Sequence, residues 1–254
     1  MDLLVATLAQ RPDLAPLLDL FPGAWPTFMY HDRVSALYYD DYVRQYPEFC
    51  VVAIDRSTPD RAVAKALSVP FTWEADPRTE LPRGGYDEVI LRAAADRVAG
   101  RRGNLVSPIE IAVQPDRRRQ GLASLLLEAL RRNTARLGFA SLVAPVRPNL
   151  RHAHRDTPLA DYIARTRDDG LPYDPWLRVH VRAGGRIVGI TPCSMTVAGT
   201  LDEWRGWTGL PFDVPGPVEV SEALAPVHCD LSEDHAVYVE PNVWVHHALN
   251  PIAT

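Results

Sequence analysis

Residues 104–149 read NLVSPIEIAVQPDRRRQGLASLLLEALRRNTARLGFASLVAPVRPN, and their pattern decides the fold. Leu105 to Val113 is an apolar run of strand length. Next come an arginine-rich turn, an amphipathic helix from about Leu122 to Leu137, and a second apolar strand, Ser141 to Val146. Helical spacing places Leu122, Leu125, Leu126, Ala129, Leu130 and Leu137 on one buried stripe. Gly138 ends the helix as a C-terminal glycine does. Arg118-Arg119-Gln120-Gly121-Leu122-Ala123 stands where strand gives way to helix. The first amides of a helix have no intrahelical partner and point outward, so a small-residue turn in front of them is an anion site. We read this turn as a pyrophosphate cradle.

Working outward, Phe49–Asp55 and Arg61–Trp73 flank a Ser-Thr-Pro-Asp turn and form an expected antiparallel hairpin. Asp32 caps a helix that runs to about Tyr46, with Val34, Leu37, Tyr38, Tyr42 and Val43 on one side. Residues 2–20 carry leucines at helical spacing interrupted by Pro12 and Pro16, which predicts two short helices. A further helix is expected from about Asp87 to Ala99. Downstream, residues 147–175 form a long connection rich in Pro, Arg, His and Asp, with one short helix near Leu159–Thr166. Pro175 starts a helix that ends at Gly184-Gly185. Strand character follows at Arg186–Ile190 and Met195–Val197. Thr200-Leu201-Asp202-Glu203 is a capping box opening a helix to Trp207. The tail reads as strands at Val218–Ser221, Ala236–Glu240 and Val243–Val245. No repeat or linker divides the chain, so residues 1–254 are expected to be one domain, with a core at 49–190 between flanking segments 1–48 and 191–254.

The chain has 254 residues and a formal net charge of −5, which argues against general nucleic-acid binding. No run of eighteen apolar residues occurs, and the N-terminus lacks a basic, then apolar, leader pattern, so neither a membrane span nor a signal peptide is expected. Cys50, Cys193 and Cys229 are far apart and fit a reducing cytoplasm. Lys65 is the only lysine. Charge is uneven: twelve arginines between Arg97 and Arg155 face only Glu110, Asp116 and Glu128. Such a basic zone suits a polyphosphate ligand, although part of it is ordinary solvated helix surface.

Strand, then V-x-P-x-x-x-R-x-x-G-x-A (Val113, Pro115, Arg118, Gly121, Ala123), then helix and strand resembles the acyl-CoA site of the GNAT acyltransferase superfamily. Leu177–Gly184 followed by Gly185–Gly189 resembles the family's late helix and next strand, so the likeness covers roughly residues 49–190. The segments DGLPYDPWLRVHVR, DEWRGWTG and VEPNVWVHH resemble a bacterial branch of that superfamily. The resemblance implies an α/β (α+β) fold whose central sheet is mixed, mostly antiparallel and flanked by helices. A splayed parallel strand pair in that sheet holds the acyl donor. It implies that the amides of Ile111, Ala112 and Val113 pair with pantetheine, and that Arg118, Arg119, Gln120, Gly121, Leu122 and Ala123 hold the pyrophosphate, with Asn149 a further donor contact. The co-substrate would be acetyl-CoA or another acyl-CoA, and no metal is implied.

Amide formation from a thioester needs a neutral amine, a stabilised oxyanion and a proton for the leaving thiolate. Where the family often has tyrosine on the late helix, this chain has His180, which can donate that proton. The alternative is a histidine packed beneath the helix and satisfied by a carbonyl. Glu110 is a candidate general base, directly or through water, although the family's base position falls nearer Ser107. Alternation puts residues 107, 109, 111 and 113 on one face and 110 and 112 on the other. The Trp25–Tyr30 loop and residues 149–176 are candidates for the acceptor pocket. His152 and His154 lack a third ligand for a metal.

The leading expectation is an N-acyltransferase that moves an acyl group from acyl-CoA to a small-molecule amine by direct attack in a ternary complex. Two alternatives stay open. One is the same fold with a donor carried on tRNA or a carrier protein, motivated by the arginine group. The other is a non-catalytic acyl-CoA-binding module. No membrane partner is expected, and a homodimer is left open.

Overall fold

A computed structural model of the chain describes residues 2–251. Among them nine strands form one sheet: β1 (Leu3–Thr7), β2 (Cys50–Asp55), β3 (Ala62–Phe71), β4 (Leu105–Val113), β5 (Ser141–Val146), β6 (Arg186–Gly199), β7 (Gly216–Val218), β8 (Val227–Asp230) and β9 (His235–Ala248). The order is β1-β2-β3-β4-β5-β9-β8-β7, with β6 also paired to β9. The β4–β5 pair is parallel and the other described strand pairs are antiparallel. The helices are α1 (Arg33–Gln45), α2 (Gly85–Val98), α3 (Leu122–Arg136), α4 (Leu159–Ala164), α5 (Pro175–Arg182) and α6 (Leu201–Thr208). This is the mixed, mostly antiparallel, helix-flanked sheet that the sequence predicts.

Strand alternation sorts the core into two faces. Val52, Ile54, Leu67, Val69, Ala112, Val143 and Trp244 pack with Val89, Ile90 and Ala93 of α2, and Val34, Tyr38 and Tyr39 of α1 join them. Val51, Ala53, Ala64, Ala66, Val106 and Leu142 pack on the opposite face against Leu122, Leu126, Leu127 and Leu130 of α3. On that same side Ala144, Val146, Val243 and Val245 pack with Leu177 of α5. Each fully buried leucine of α3 contributes about 1.5–3 kcal/mol of burial free energy, which binds the helix to the parallel pair.

The predicted stripe of α3 needs adjustment. Leu125 is exposed and Leu127 is buried, because the helix lies against β2–β5 on a face centred on Leu122, Leu126, Leu127 and Leu130. On α1, Asp32 caps as expected by accepting the amides of Val34 and Ser35, but Leu37 points to solvent. The side chain of Tyr42 lies outside those described.

Residues 2–20 are not two helices. Leu3–Thr7 pairs with β2, and only Pro12–Asp19 turns, as a 3-10 helix. The buried strand β2 offers a free edge, and pairing a short apolar segment with it outweighs weak helix propensity. Downstream, four of the predicted short strands merge into two 14-residue strands, β6 and β9, with register shifts absorbing the breaks, whereas the strand expected at Val218–Ser221 lies instead at Gly216–Val218. The strand at β8 was not foreseen, since VHCD is too short to show a period.

Candidate active site

β4 and β5 pair at one position, Val106 with Leu142, and then part toward their C-terminal ends. A bulge in the β3–β4 ladder, where Leu67 faces Glu110 but Ser68 faces Pro108, leaves Ile109 as the extra residue. The bulge corrects the expected alternation. Ile109 packs with Ala112, whereas Ile111 and Val113 pack toward α3. Ser107 is fully buried and its Oγ donates to Pro108 O, so it does not face the opening. Where the strands separate lies a cleft of about 1960 Å³, lined from β4 by Ile111, Ala112 and Val113 and from β5 by Ala144 and Val146.

One end of the cleft is the arginine turn. Gly121 has φ +80° and Arg119 φ +63°, so two left-handed residues precede α3. Gly121 makes no side-chain cap, and the first intrahelical bond is Leu125 N to Gly121 O, so the amides of residues 122–124 are left for another acceptor. Arg118, Arg119 and Ala123 line the cleft, as does Asn149. Gln120, Gly121 and Leu122 are not among its lining residues, and Leu122 is buried in the core under α3. Arg118 also donates to Gly23 O, tying the Trp25 loop to the turn.

His180 reaches the cleft on α5. That helix starts where Asp174 accepts the amides of Trp176 and Leu177, with Pro175 at the first position. Leu177 and His180 form its buried stripe. His180 Nδ1 lies 3.0 Å from Nε2 of His247, a fully buried residue of β9, and Trp176 packs edge-on against the ring. The partner is thus a second imidazole rather than a carbonyl. Burial, and then the neighbouring His247, hold the His180 pKa well below the usual histidine value; burial first and then Arg131 lower His247 to about 4. Both rings are neutral at pH 7.

On the other face of the sheet, Lys65 pairs in register with Ala112 and is a diagonal neighbour of Glu110. Lys65 Nζ lies 2.9 Å from Glu110 Oε2, both side chains being 7% exposed. Trp25 Nε1 donates to Glu110 Oε1 at 2.9 Å, and the Tyr39 hydroxyl donates to Oε2. Further along the same face, Arg147 Nε donates to Glu240 Oε2 at 2.8 Å. Tyr238 OH and Asn242 Nδ2 also donate to Glu240, at 2.7 and 3.0 Å. Trp25, Lys65, Glu110, Arg147, Glu240 and Asn242 all line the cleft.

The expected acceptor loop Trp25–Tyr30 lines the cleft throughout, but from residues 149–176 only Asn149, Leu150, His152, Pro175 and Trp176 do. The rest of that connection closes on itself. Tyr162 is buried with its hydroxyl on Asp174, and Arg155 fastens to Val220 O, Ala223 O and Glu219. His154 packs against Tyr162 and Tyr173, away from His152. The arginine zone is similarly consumed: Arg131 and Arg132 pair with Glu128, Arg101 with Asp96, and Arg151 with backbone carbonyls. Lys65, Arg147, Glu240 and His247 were missed by sequence reasoning. The one signal was the uniqueness of Lys65 as the only lysine.

No family model matches the chain. It is 32% identical over 274 residues to the arginine N-acetyltransferase avaD of Aspergillus versicolor, spanning 96% of this chain and 93% of that protein. Its fold is similar to the loading GNATL domain of CurA from Lyngbya majuscula, with a TM-score of 0.60 at 17% identity over 97% of this chain and 96% of that one. The GphF GNAT-like decarboxylase in complex with isobutyryl-CoA gives a TM-score of 0.57 at 20% identity, covering 98% and 99%.

Proposed function

The chain belongs to the GNAT acyltransferase superfamily and is an N-acyltransferase acting on amines; on that premise we propose that it transfers an acetyl group from acetyl-CoA to an amino group of arginine or a closely related cationic amino acid. The observation that carries this reading is the opening of the sheet beyond Val106–Leu142, which joins an uncapped, arginine-flanked helix terminus to His180 and Glu110 through one cleft. Arginine as acceptor rests on the likeness to the fungal enzyme over nearly the whole chain.

In this reading the pyrophosphate sits on the amides ahead of α3 and on Arg118 and Arg119, and pantetheine runs along Ile111–Val113. The acceptor nitrogen, oriented by Glu110, attacks the thioester carbonyl in a ternary complex. Before the attack Glu110 takes one proton from the acceptor ammonium, directly or through water, to give the neutral amine. A neutral His180 keeps one N–H but is too weak an acid to protonate the thiolate before it gains a second proton. It takes the remaining proton from nitrogen in the tetrahedral intermediate and passes it to sulfur as the C–S bond breaks, leaving the amide and CoA thiol. This modifies the expectation that His180 is a ready-made acid.

Free acyl-CoA is favoured over a tRNA-borne donor because most arginines of the basic zone are engaged within the protein. The whole chain is proposed to act as one catalytic unit, since β1 and β6–β9 belong to the sheet that carries the site. Three free cysteines support a reducing, cytoplasmic setting, and the three branch-like segments support placement in a bacterial lineage.

The test is thiol release and product mass with acetyl-CoA and a panel of amines including arginine. Arginine-dependent thiol release is expected, falling on the order of 100-fold in kcat for His180→Ala with CoA affinity retained. No release with any amine would overturn the reading. Unchanged turnover in His180→Ala would remove that residue from it.

A further inference from the structure

The acceptor face of the cleft holds two cations, and their hydrogen bonds distinguish them. An ammonium has three N–H donors and a guanidinium five. Lys65 donates to Leu18 O at 3.0 Å and to the Tyr39 hydroxyl at 2.8 Å, and its ammonium is ion-paired with Glu110 at 2.9 Å. Lys65 is therefore held within its own ion pair at 7% exposure. Arg147 uses Nε on Glu240 and Nη2 on Glu222 O. Among the hydrogen bonds of the described residues its Nη1 makes none, while the Tyr238 hydroxyl also stands beside the guanidinium.

Arg147 is also held in one orientation. It follows β5 directly and stays in phase with Val143, which packs beneath α2, so it lies on the acceptor face. Its partner Glu240 is 1% exposed and is itself fixed by Tyr238 and Asn242, and Asn242 is fixed by Ser194. The Arg147 side chain is 15% exposed and lines the cleft. A rigid, largely desolvated guanidinium with an uncommitted nitrogen is suited to a carboxylate. The other arginines lining the cleft, Arg118 and Arg119, stand at the donor end.

We propose that Arg147, braced by Glu240, is the anchor for the α-carboxylate of the acceptor, and so restricts the enzyme to amino acids over the corresponding decarboxylated amines. This rests on the reading that arginine is the acceptor. It goes further by assigning which end of the acceptor is recognised and by which side chain.

The experiment compares arginine with agmatine, which keeps the guanidino chain and lacks the carboxylate, and with arginine amide, which neutralises it. For the unmodified enzyme, kcat/KM for arginine is expected to exceed that for either analogue by on the order of 10–100-fold, the worth of a charge-assisted hydrogen bond. In Arg147→Gln the arginine/agmatine ratio collapses toward one, and in Arg147→Lys, which keeps the charge on Glu240 but loses the fork, it falls to an intermediate value. Equal use of all three acceptors by the unmodified enzyme overturns the proposal, and that comparison stands even if Arg147→Gln fails to fold. A ratio unchanged in a folded Arg147→Gln also overturns it. Acetylation of none of the three acceptors would instead defeat the arginine reading itself, and this inference with it.

Discussion

The two faces of the sheet meet at the same cleft but are built from opposite electrostatics. On the acceptor face, two buried ion pairs, Lys65–Glu110 and Arg147–Glu240, stand in a wall of aromatic and aliphatic side chains. On the donor face, the corresponding buried polar pair is two histidines, His180 and His247, held neutral by burial. A charge in such a setting survives only with a partner, whereas a neutral imidazole has no charge to compensate. The difference matches the proposed division of the cleft, with a cationic amino acid on one side and the thioester on the other.

Removing one member of a charge pair should break the comparison most strongly. Lys65→Met leaves Glu110 among apolar neighbours with only Tyr39 and Trp25 as donors. A loss of about 3–5 kcal/mol in unfolding free energy is expected by chemical denaturation. The double variant Lys65→Met/Glu110→Gln should recover more than half of it, because a neutral amide leaves no unpaired charge. A single variant within about 1 kcal/mol of the parent would show that the pair is not a buried charge pair at all.

The donor face should show its neutrality through pH. His247 has a folded pKa of about 4, below the unfolded value near 6.5. Between those values the unfolded chain binds the proton and the folded one does not, so this contribution is intact above pH 6.5 and is lost as pH falls toward 4. Comparing the parent with His247→Leu reads this effect together with any change in its partner His180, whose own pKa is held down first by burial and then by His247. Their difference in unfolding free energy should shift against the parent by up to about 1.4 kcal/mol per pH unit below 6.5, and should be flat from pH 7 to 8.5. Asp87, which burial first and then Asp32 raise to about 8, titrates in both proteins and cancels. A difference independent of pH from 5 to 8 would mean that His247 is not held neutral.

Much of this was legible in the chain. The bounds of β4 and β5, the caps at Asp32 and Thr200, and the turn at Gly121 are local chemistry, and they stand where the residues put them. His180 was placed on its helix by counting back from Gly184. What could not be read was pairing across the sheet. Lys65 and Glu110 lie 45 residues apart and Arg147 and Glu240 lie 93 apart. Only the register of β3 on β4 and of β5 on β9 brings each pair together. The bulge at Ile109 was invisible for a related reason, since an extra residue is defined by its partner strand. The N-terminal strand failed likewise, because an edge exists only once β2 is in place.

The smallest effect tests the end of the cleft that both faces share. Gly121 sits at φ +80°, and a Cβ built there meets nothing within 4 Å. Gly121→Ala therefore adds no clash, and its effect on stability should be that of a left-handed alanine, about 1 kcal/mol. Relief of that strain would rotate the peptide ahead of α3 and turn its amides away from a shared anion. KM for acetyl-CoA should thus rise severalfold while kcat with arginine holds, a split that a general loss of folded protein cannot produce. If stability drops by about 1 kcal/mol and KM does not move, the helix terminus carries no donor phosphate, and Arg118 and Arg119 alone would have to hold it.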